Sequence, residues 1–506
     1  MLLRVSKLGS SVSHILVLAG IGVLAFILRA APYFKSGVLS SEREYDDGVM
    51  LAGSLSLISG RIPYRDFVFL HPPASLLALS PAALFGRYST EGAGMAAARI
   101  VVIIFGIANC VLIAYLLRRH GVLAMIAGGG VYAVWSPAVA SERTVLLEPA
   151  INLCLLVALV GVASGKLNAL LWTGASLGIA CATKYWVIVD VVLLGLLIGL
   201  RWRAKGLRRF LLGGVLAAGL MALPFFMIAP AEMWRMTVGV QFERPSALLS
   251  LADKAHYFSP FTGFQGIDKE FPDSLLAIVV LMIVLMGLVP LVQALHSRIP
   301  AAAYKDEVWW GVVAAVHVAV LAASPVFYYH YAAWATAPLA LVVGAAVGRF
   351  VRPGWRVKAT LISIAIPLLV MTISGLRHLE SSVLEGPALT AWGSRHNCTW
   401  AFPQQLVSTN SVSSNLRNGC SFDIDPFGVG LTLSDSAVIS DDSELTIGNA
   451  RWRERAWKQI GGSDGLILPR DMSKWWFDET QRRVITSDFA VSIATDQVGY
   501  WERVKG

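Results

Sequence analysis

HILVLAGIGVLAFILRAAPYFKSGVLSSEREYDDG, residues 14–48, contains the transition that decides the fold. Eighteen of these residues, 14–31, are almost wholly apolar, and two adjacent carboxylates, Asp46 and Asp47, follow shortly after. Roughly 20 apolar residues cross the hydrocarbon layer of a membrane as a helix, so the run predicts a span and the acids predict its outer mouth. Arg4 and Lys7 precede the run as they would in a signal peptide, but Arg29-Ala30-Ala31-Pro32-Tyr33 is a poor cleavage site. The first span is therefore expected to be retained.

The remainder of the chain follows the same pattern. Of 506 residues, 56% are hydrophobic and 15% charged, too much apolar surface for one soluble core, so lipid must cover it. Spans are expected near 14–31, 99–117, 121–139, 149–164, 168–182, 185–200, 209–229, 274–295, 308–324, 332–348 and 358–376, eleven in all. The formal net charge of +9 does not mark a nucleic-acid protein, because the basic residues fall in short clusters between apolar runs. Arg118 and Arg119, Arg201 to Arg209, Arg298 with Lys305, and Arg349 to Lys358 share a side with Arg4 and Lys7. Lys/Arg excess marks the cytoplasmic face, which places the N-terminus inside and everything after about residue 377 outside.

Three outward regions are longer than turns. The first, 32–98, holds two moderately apolar stretches, 48–59 and 72–86, that suit helices lying along the interface. The second is about 230–273. In the third, the C-terminal 130 residues, long apolar runs give way to Ser, Asp, Asn and Trp. The chain thus divides into a membrane domain, 1–376, and a small extracytoplasmic domain, 377–506, of α/β class. Within the latter, Arg483 to Thr486 and Ala490 to Ile493 alternate as strands do, and Asn449 to Ile460 reads as a helix. Cys398 and Cys420 lie in a compartment that permits oxidation and form either a disulfide or two unpaired thiols. Cys110, Cys154 and Cys181 fall in spans and read as small packing residues.

The residues with chemical potential cluster on the outer side. Asp46 and Asp47, as ordinary carboxylates, are ionised at near-neutral pH, and they equally suit the first turn of a helix starting near Gly48. Glu148, beside Pro149 where a helix re-enters the membrane, is either a first-turn acid or a second functional carboxylate. Lys184 interrupts an apolar segment and either snorkels to the interface or binds an anion as a point charge. His71, Arg99, Arg143 and Arg244 are further outer cations, and His330 stands in the aromatic turn Phe327 to Tyr331. There is no Walker loop, His-Glu-x-x-His or paired Cys-x-x-Cys, so ATP hydrolysis and structural zinc have no support.

Taken in order, Tyr45-Asp46-Asp47-Gly48-Val49, Gly60-Arg61-Ile62-Pro63-Tyr64-Arg65-Asp66, His71-Pro72-Pro73, Arg99, Glu148-Pro149 and Gly178 to Lys184 resemble the membrane glycosyltransferases of the GT-C class. The resemblance is nearest to the protein O-mannosyltransferase and lipid A aminoarabinose transferase branch and covers roughly 40–200. Weaker echoes at Met233 to Pro245, Phe327 to Tyr331, and Cys398 and Arg417 to Gly428 look like actinobacterial members. It implies a polyprenyl-phosphate sugar donor, a glycan, lipid or protein acceptor, and inversion at the anomeric carbon. The sugar suggested is mannose or arabinose. Asp46 would be the base and Asp47 its acidic neighbour, with Glu148 a second external acid. Lys184, His71, Arg99, Arg143, Arg244 and His330 would bind donor phosphate. A divalent cation, Mg2+ or Mn2+, would fall to Asp46 and Asp47 if one is used. The class usually has Asp-Glu where this chain has Asp46-Asp47, and often a basic residue where it has His71. A rival reading, a transporter or flippase of a lipid-linked sugar, would place polar groups at mid-membrane on repeated halves. Asp190, inside a span, is the one residue that favours it.

Overall fold

An apolar run in lipid has no water to satisfy its peptide groups, so it closes them internally as a helix. In the computed structural model the predicted spans within the described residues are helical, although 121–139 is divided at the extended Trp135 (φ −68°, ψ 120°) between helices Val122–Val134 and Ser136–Ser141. Those residues are 2–34, 39–41, 44–244, 246–247, 250–257, 305–350, 387–434, 438–439, 443–471, 477–494 and 498–504. The helices used below are α1 (Leu2–Ala30), α2 (Tyr45–Ile58), α3 (Ala74–Tyr88), α4 (Glu91–Leu117), α5 (Val122–Val134), α6 (Glu148–Ala163), α7 (Ala169–Cys181) and α8 (Ile188–Ile228). They continue with α9 (Asp306–Ala323), α10 (Ala332–Phe350), α11 (Pro403–Ser408), α12 (Val412–Arg417), α13 (Pro426–Leu433), α14 (Ala450–Gly461) and α15 (Glu479–Asp488).

The expected count of eleven spans is not established. Among the described residues five helical segments are long and apolar enough to cross a membrane: Val12–Ala30, Glu91–His120, Tyr185–Ile228, Asp306–Ala323 and Tyr329–Arg349. Helices α5, α6 and α7 are apolar but shorter, at 13, 16 and 13 residues. At 1.5 Å per residue they reach about 20–24 Å, short of the ~30 Å hydrocarbon layer. The predicted 185–200 and 209–229 both fall on α8, which is kinked at Arg203 (φ 53°, ψ −151°). The predicted spans 274–295 and 358–376 lie outside the described residues.

The chain forms two units. The first comprises Met1–Phe34, Val101–Met221 and Leu249–Glu380. Here α5 packs on α1 and α10, α6 on α7, and α9 on α10. Small residues permit the closest of these crossings: a Cβ at Gly128 of α5 would stand 2.8 Å from the Ala340 carbonyl of α10. Polar side chains join the same interior. Glu142 accepts from Arg29 Nε (2.6 Å), Tyr132 Oη (2.7 Å) and Asn109 Nδ2 (2.9 Å), and all four residues are fully buried.

The second unit comprises Lys35–Ile100, Ala222–Leu248 and Ser381–Gly506. The stretches read as interfacial helices are α2 and α3, which pack on each other, while α11 and α12 of the C-terminal segment pack on α2. Glu91 accepts from the first amides of α12, Val412 N (3.1 Å) and Ser413 N (2.6 Å), so its carboxylate meets the positive end of that helix. A four-stranded sheet runs in the order β2 (Thr399–Trp400), β4 (Gly465–Pro469), β6 (Val498–Arg503), β5 (Phe489–Ala494), with β2 parallel to β4 and the other pairs antiparallel. Separately, β1 (Ser246–Ala247) pairs in parallel with β3 (Val438–Ile439). Trp400, Trp452, Ile460, Leu466, Leu468, Ile485 and Trp501 fill the core between the sheet and its helices.

The expected helix at 449–460 is α14, capped by Asn449, whose side chain accepts from Arg451 N and Trp452 N. The expected strand at 490–493 is part of β5. The strand expected at Arg483 to Thr486 is instead helix α15. Four alternating residues are too short a window to fix a period, and a capping box at Asp478 and Gln481 starts a helix just upstream.

Cys398 and Cys420 form a disulfide, with Cα atoms 5.6 Å apart. It closes a loop of sequence separation 22. Chain-entropy reasoning gives such a loop about 3 kcal/mol of stabilisation. A Cys398→Ser/Cys420→Ser variant is expected to lose about 3 kcal/mol of unfolding free energy and so to unfold at lower denaturant concentration, followed by tryptophan fluorescence in detergent; an unchanged midpoint would refute the stabilising role.

Candidate active site

Helix α2 opens on Tyr45, Asp46 and Asp47, where the helix dipole favours negative charge. Successive residues turn by about 100° around a helix axis, so the three side chains leave in different directions. Asp47 turns inward and is fully buried. Its Oδ2 lies 2.5 Å from an amino group of Arg99 on α4, and Arg99 also donates to the Leu39 carbonyl at 2.8 Å. Asp46 is only partly buried.

Tyr45 points to the C-terminal segment. Its hydroxyl donates to Asp425 Oδ1 (2.7 Å) and accepts from Phe427 N (3.0 Å), with its ring edge-on to Phe427 at 4.7 Å. Asp425 also caps α13 through Gly428 N (2.8 Å). Burial pushes the Asp425 carboxyl above the ordinary aspartate range, against the opposing pull of these two hydrogen bonds and the charge of Arg244. Burial likewise raises Tyr45, so its hydroxyl stays protonated and remains a donor.

The Gly60 to Asp66 motif is a tight loop. Gly60 (φ 91°) and Tyr64 (φ 71°) both adopt left-handed backbone, and for Tyr64 that conformation is strained. The surrounding bonds hold it: Tyr64 N to Phe67 O (2.9 Å), Ile62 N to Asp66 Oδ2 (2.7 Å), and the Tyr64 hydroxyl to His71 O (2.7 Å). His71 is thus fixed through its backbone, with its ring 5.9 Å from that of Phe69.

The first unit holds the other candidates. Glu148 starts α6, with Pro149 in the first turn, and its Oε1 is 2.5 Å from Lys184 Nζ; both side chains are buried. The ammonium also sits over Trp186 (4.1 Å) and Tyr331 (4.4 Å), whose rings meet edge-on at 4.3 Å. Such faces attract a cation without accepting a conventional hydrogen bond. His330 is buried, with its ring parallel to that of Tyr328 at 5.8 Å. Arg143 is buried and donates to the Leu28 carbonyl from Nε at 3.0 Å. Asp190 accepts from His317 Nε2 at 2.7 Å, and His317 stacks on Trp334 at 3.8 Å.

Of the acids and cations expected to act, Asp46, Asp47, His71, Arg99 and Arg244 belong to the second unit, and Arg143, Glu148, Lys184 and His330 to the first. Asp47 is brought to Arg99, and Glu148 to Lys184. Sequence reading passed over Asp425, Trp186 and Tyr331 as site residues. The one signal for Asp425 is Asp-Pro at 425–426, a cap residue ahead of a proline that can open a helix. Among the described residues no group of three or more His, Cys, Asp or Glu side chains is arranged to hold a metal ion, and Asp47 is already bonded to Arg99.

No family model matches the chain, and no curated protein matches it significantly. Solved structures do. ArnT from Cupriavidus metallidurans, bound to undecaprenyl phosphate, aligns with a TM-score of 0.56 at 14% identity over 97% of this chain and 98% of that chain. The archaeal oligosaccharyltransferase AglB from Archaeoglobus fulgidus, in complex with an inhibitory peptide and a dolichol-phosphate, aligns at 0.56 and 12% identity over 91% and 70%. The chain has the GT-C fold that these proteins share.

Removing one member of a buried ion pair strands the other and typically costs 3–5 kcal/mol, whereas replacing both with apolar residues is often neutral. Arg99→Met is expected to destabilise the protein by about 3 kcal/mol or more, and Arg99→Met/Asp47→Leu to recover most of that loss, by thermal unfolding in detergent. Additive losses in the double variant would show that the two residues do not act as a pair.

Proposed function

We propose that this protein is an inverting glycosyltransferase that moves a sugar from a polyprenyl-phosphate donor to an envelope glycan, lipid or protein acceptor at the outer face of the cytoplasmic membrane. The observation that carries this reading is the division between the adjacent aspartates: Asp47 is buried against Arg99, whereas Asp46, one residue earlier, keeps part of its surface open. The fold shared with a protein that binds undecaprenyl phosphate supports the choice of donor.

In this reaction Asp46 takes the proton from the acceptor hydroxyl as its oxygen attacks the anomeric carbon from the side opposite the phosphate. The bond from that carbon to the phosphate oxygen breaks, and polyprenyl phosphate leaves with the electron pair. The phosphate gains charge as it departs, so a preorganised cation stabilises the transition state more than the ground state. Lys184 has that role. Asp47 and Arg99 hold the first turn of α2, and Glu148 holds the Lys184 ammonium. The N-terminus lies in the cytoplasm, with residues 1–376 forming the membrane domain and 377–506 an extracytoplasmic one. Mannose and arabinose are the first sugars to test.

The protein in lipid nanodiscs, supplied with undecaprenyl-phosphate mannose or arabinose and envelope extract as acceptor, is expected to release undecaprenyl phosphate and form glycoside. Asp46→Asn should reduce turnover by about 10²–10⁴-fold, the usual worth of a general base, with folding intact. Lys184→Ala should lower donor kcat/KM on the order of 100-fold. Lipid movement across the bilayer without glycoside formation would establish the transporter reading instead, and full activity of Asp46→Asn would remove Asp46 as the base.

A further inference from the structure

Tyr45 and Gly48 are three residues apart in the first turn of α2 and so lie on one helix face. Both meet the C-terminal segment. The Tyr45 hydroxyl is held between Asp425 Oδ1 (2.7 Å) and Phe427 N (3.0 Å). At Gly48 the contact is backbone to backbone, since an added Cβ would lie 2.1 Å from Gln404 N. On the inward side, Asp47 is fixed by Arg99. Asp46 is thus flanked by residues anchored on either side, and its direction of exit from the helix follows from where they are held.

Asp425 is itself set by its surroundings. It is 7% exposed and caps α13 through Gly428 N at 2.8 Å. One carboxylate oxygen therefore accepts from both Gly428 N and the Tyr45 hydroxyl, and orients the turn that carries Asp46 relative to α13.

We propose that Asp425 is a positioning residue for Asp46: through the Tyr45 hydroxyl it fixes the first turn of α2, so that the C-terminal segment governs the alignment of the base rather than serving as a separate appendage. This rests on the assignment of Asp46 as the base. Helix ends fray when their tertiary contacts are lost, and misalignment of a base lowers turnover without weakening donor binding.

The test compares Tyr45→Phe, Asp425→Ala, Asp425→Asn and the double variant Tyr45→Phe/Asp425→Ala with the unmodified full chain in nanodiscs, using undecaprenyl-phosphate mannose and arabinose as probes. Tyr45→Phe and Asp425→Ala are each expected to lower kcat about tenfold, the effect of one lost hydrogen bond to a charged acceptor, with donor KM little changed. The double variant should be no worse than the poorer single one. Asp425→Asn, which keeps a carbonyl oxygen for both donors, should restore most of the loss. Donor-free hydrogen–deuterium exchange should show faster exchange of amides 45–49 in Tyr45→Phe and Asp425→Ala than in the unmodified protein. Unchanged kcat, losses that multiply in the double variant, a change in KM alone, an Asn variant as poor as the Ala variant, or unaltered exchange would each overturn the positioning role. Full activity of Asp46→Asn would instead overturn the base assignment beneath it. An inactive Asp46→Asn beside fully active Tyr45→Phe and Asp425→Ala would overturn the positioning role alone.

Discussion

A carboxylate removed from water loses several kcal/mol of hydration unless a cation and hydrogen bonds replace it, and this constraint sorts the acids of the chain. Among the described residues, four buried acids have a basic partner, Asp47 with Arg99, Glu142 with Arg29, Glu148 with Lys184 and Asp190 with His317, while buried Glu91 and Asp425 accept hydrogen bonds from helix-start amides. Each pair joins segments distant in sequence, so meeting the electrostatic demand also fixes tertiary structure. Asp46 differs in being only partly buried. Adjacent residues of the same type thus acquire different capacities, because the helix turns one inward and leaves the other open.

The second unit shows how a short sequence motif depends on distant chain. The first turn of α2 is bounded by Arg99 on α4, Asp425 ahead of α13 and the backbone of Gln404 on α11. At the start of α4, Glu91 accepts from two amides of α12, and its own amide donates to Asn410. The loop 44–100 and the C-terminal segment therefore share one set of hydrogen bonds within the unit. The sheet contributes through its core, where Trp400 and Trp452 pack with Val429 of α13 and so brace the helix that Asp425 caps.

The apolar runs were legible because about 20 such residues admit few structures other than a helix, and α1, α4 and α10 follow from that alone. Runs interrupted by charge were less decisive. The basic cluster from Arg201 to Arg209 suggests two helices, and α8 is two helices that meet at the non-helical backbone of Arg203, inside the cluster rather than after it. In the C-terminal segment, Asn449 announced α14, whereas the alternation at 483–486 concealed α15 because the deciding signal, the Asp478 and Gln481 box, lay upstream of it. Pairings were not legible. Tyr45 and Asp425 are 380 positions apart, and nothing local to either residue names the other.

The cations illustrate why residue type alone does not assign a ligand. Arg99 and Arg143 are outer-side basic residues by sequence, yet each directs its planar fork at fixed acceptors inside its own unit: Asp47 and the Leu39 carbonyl for one, the Leu28 carbonyl for the other. A guanidinium held in a fork is pre-organised for those acceptors and is poorly suited to exchanging them. Lys184 carries the same formal charge on a rotatable ammonium with three donors. One hydrogen bond goes to Glu148, and the Trp186 and Tyr331 faces attract the charge without accepting its remaining hydrogens in conventional bonds. A rotatable ammonium with three donors can redirect a hydrogen bond to a phosphate that gains charge during a reaction, which is the physical reason to weigh Lys184 above the two arginines.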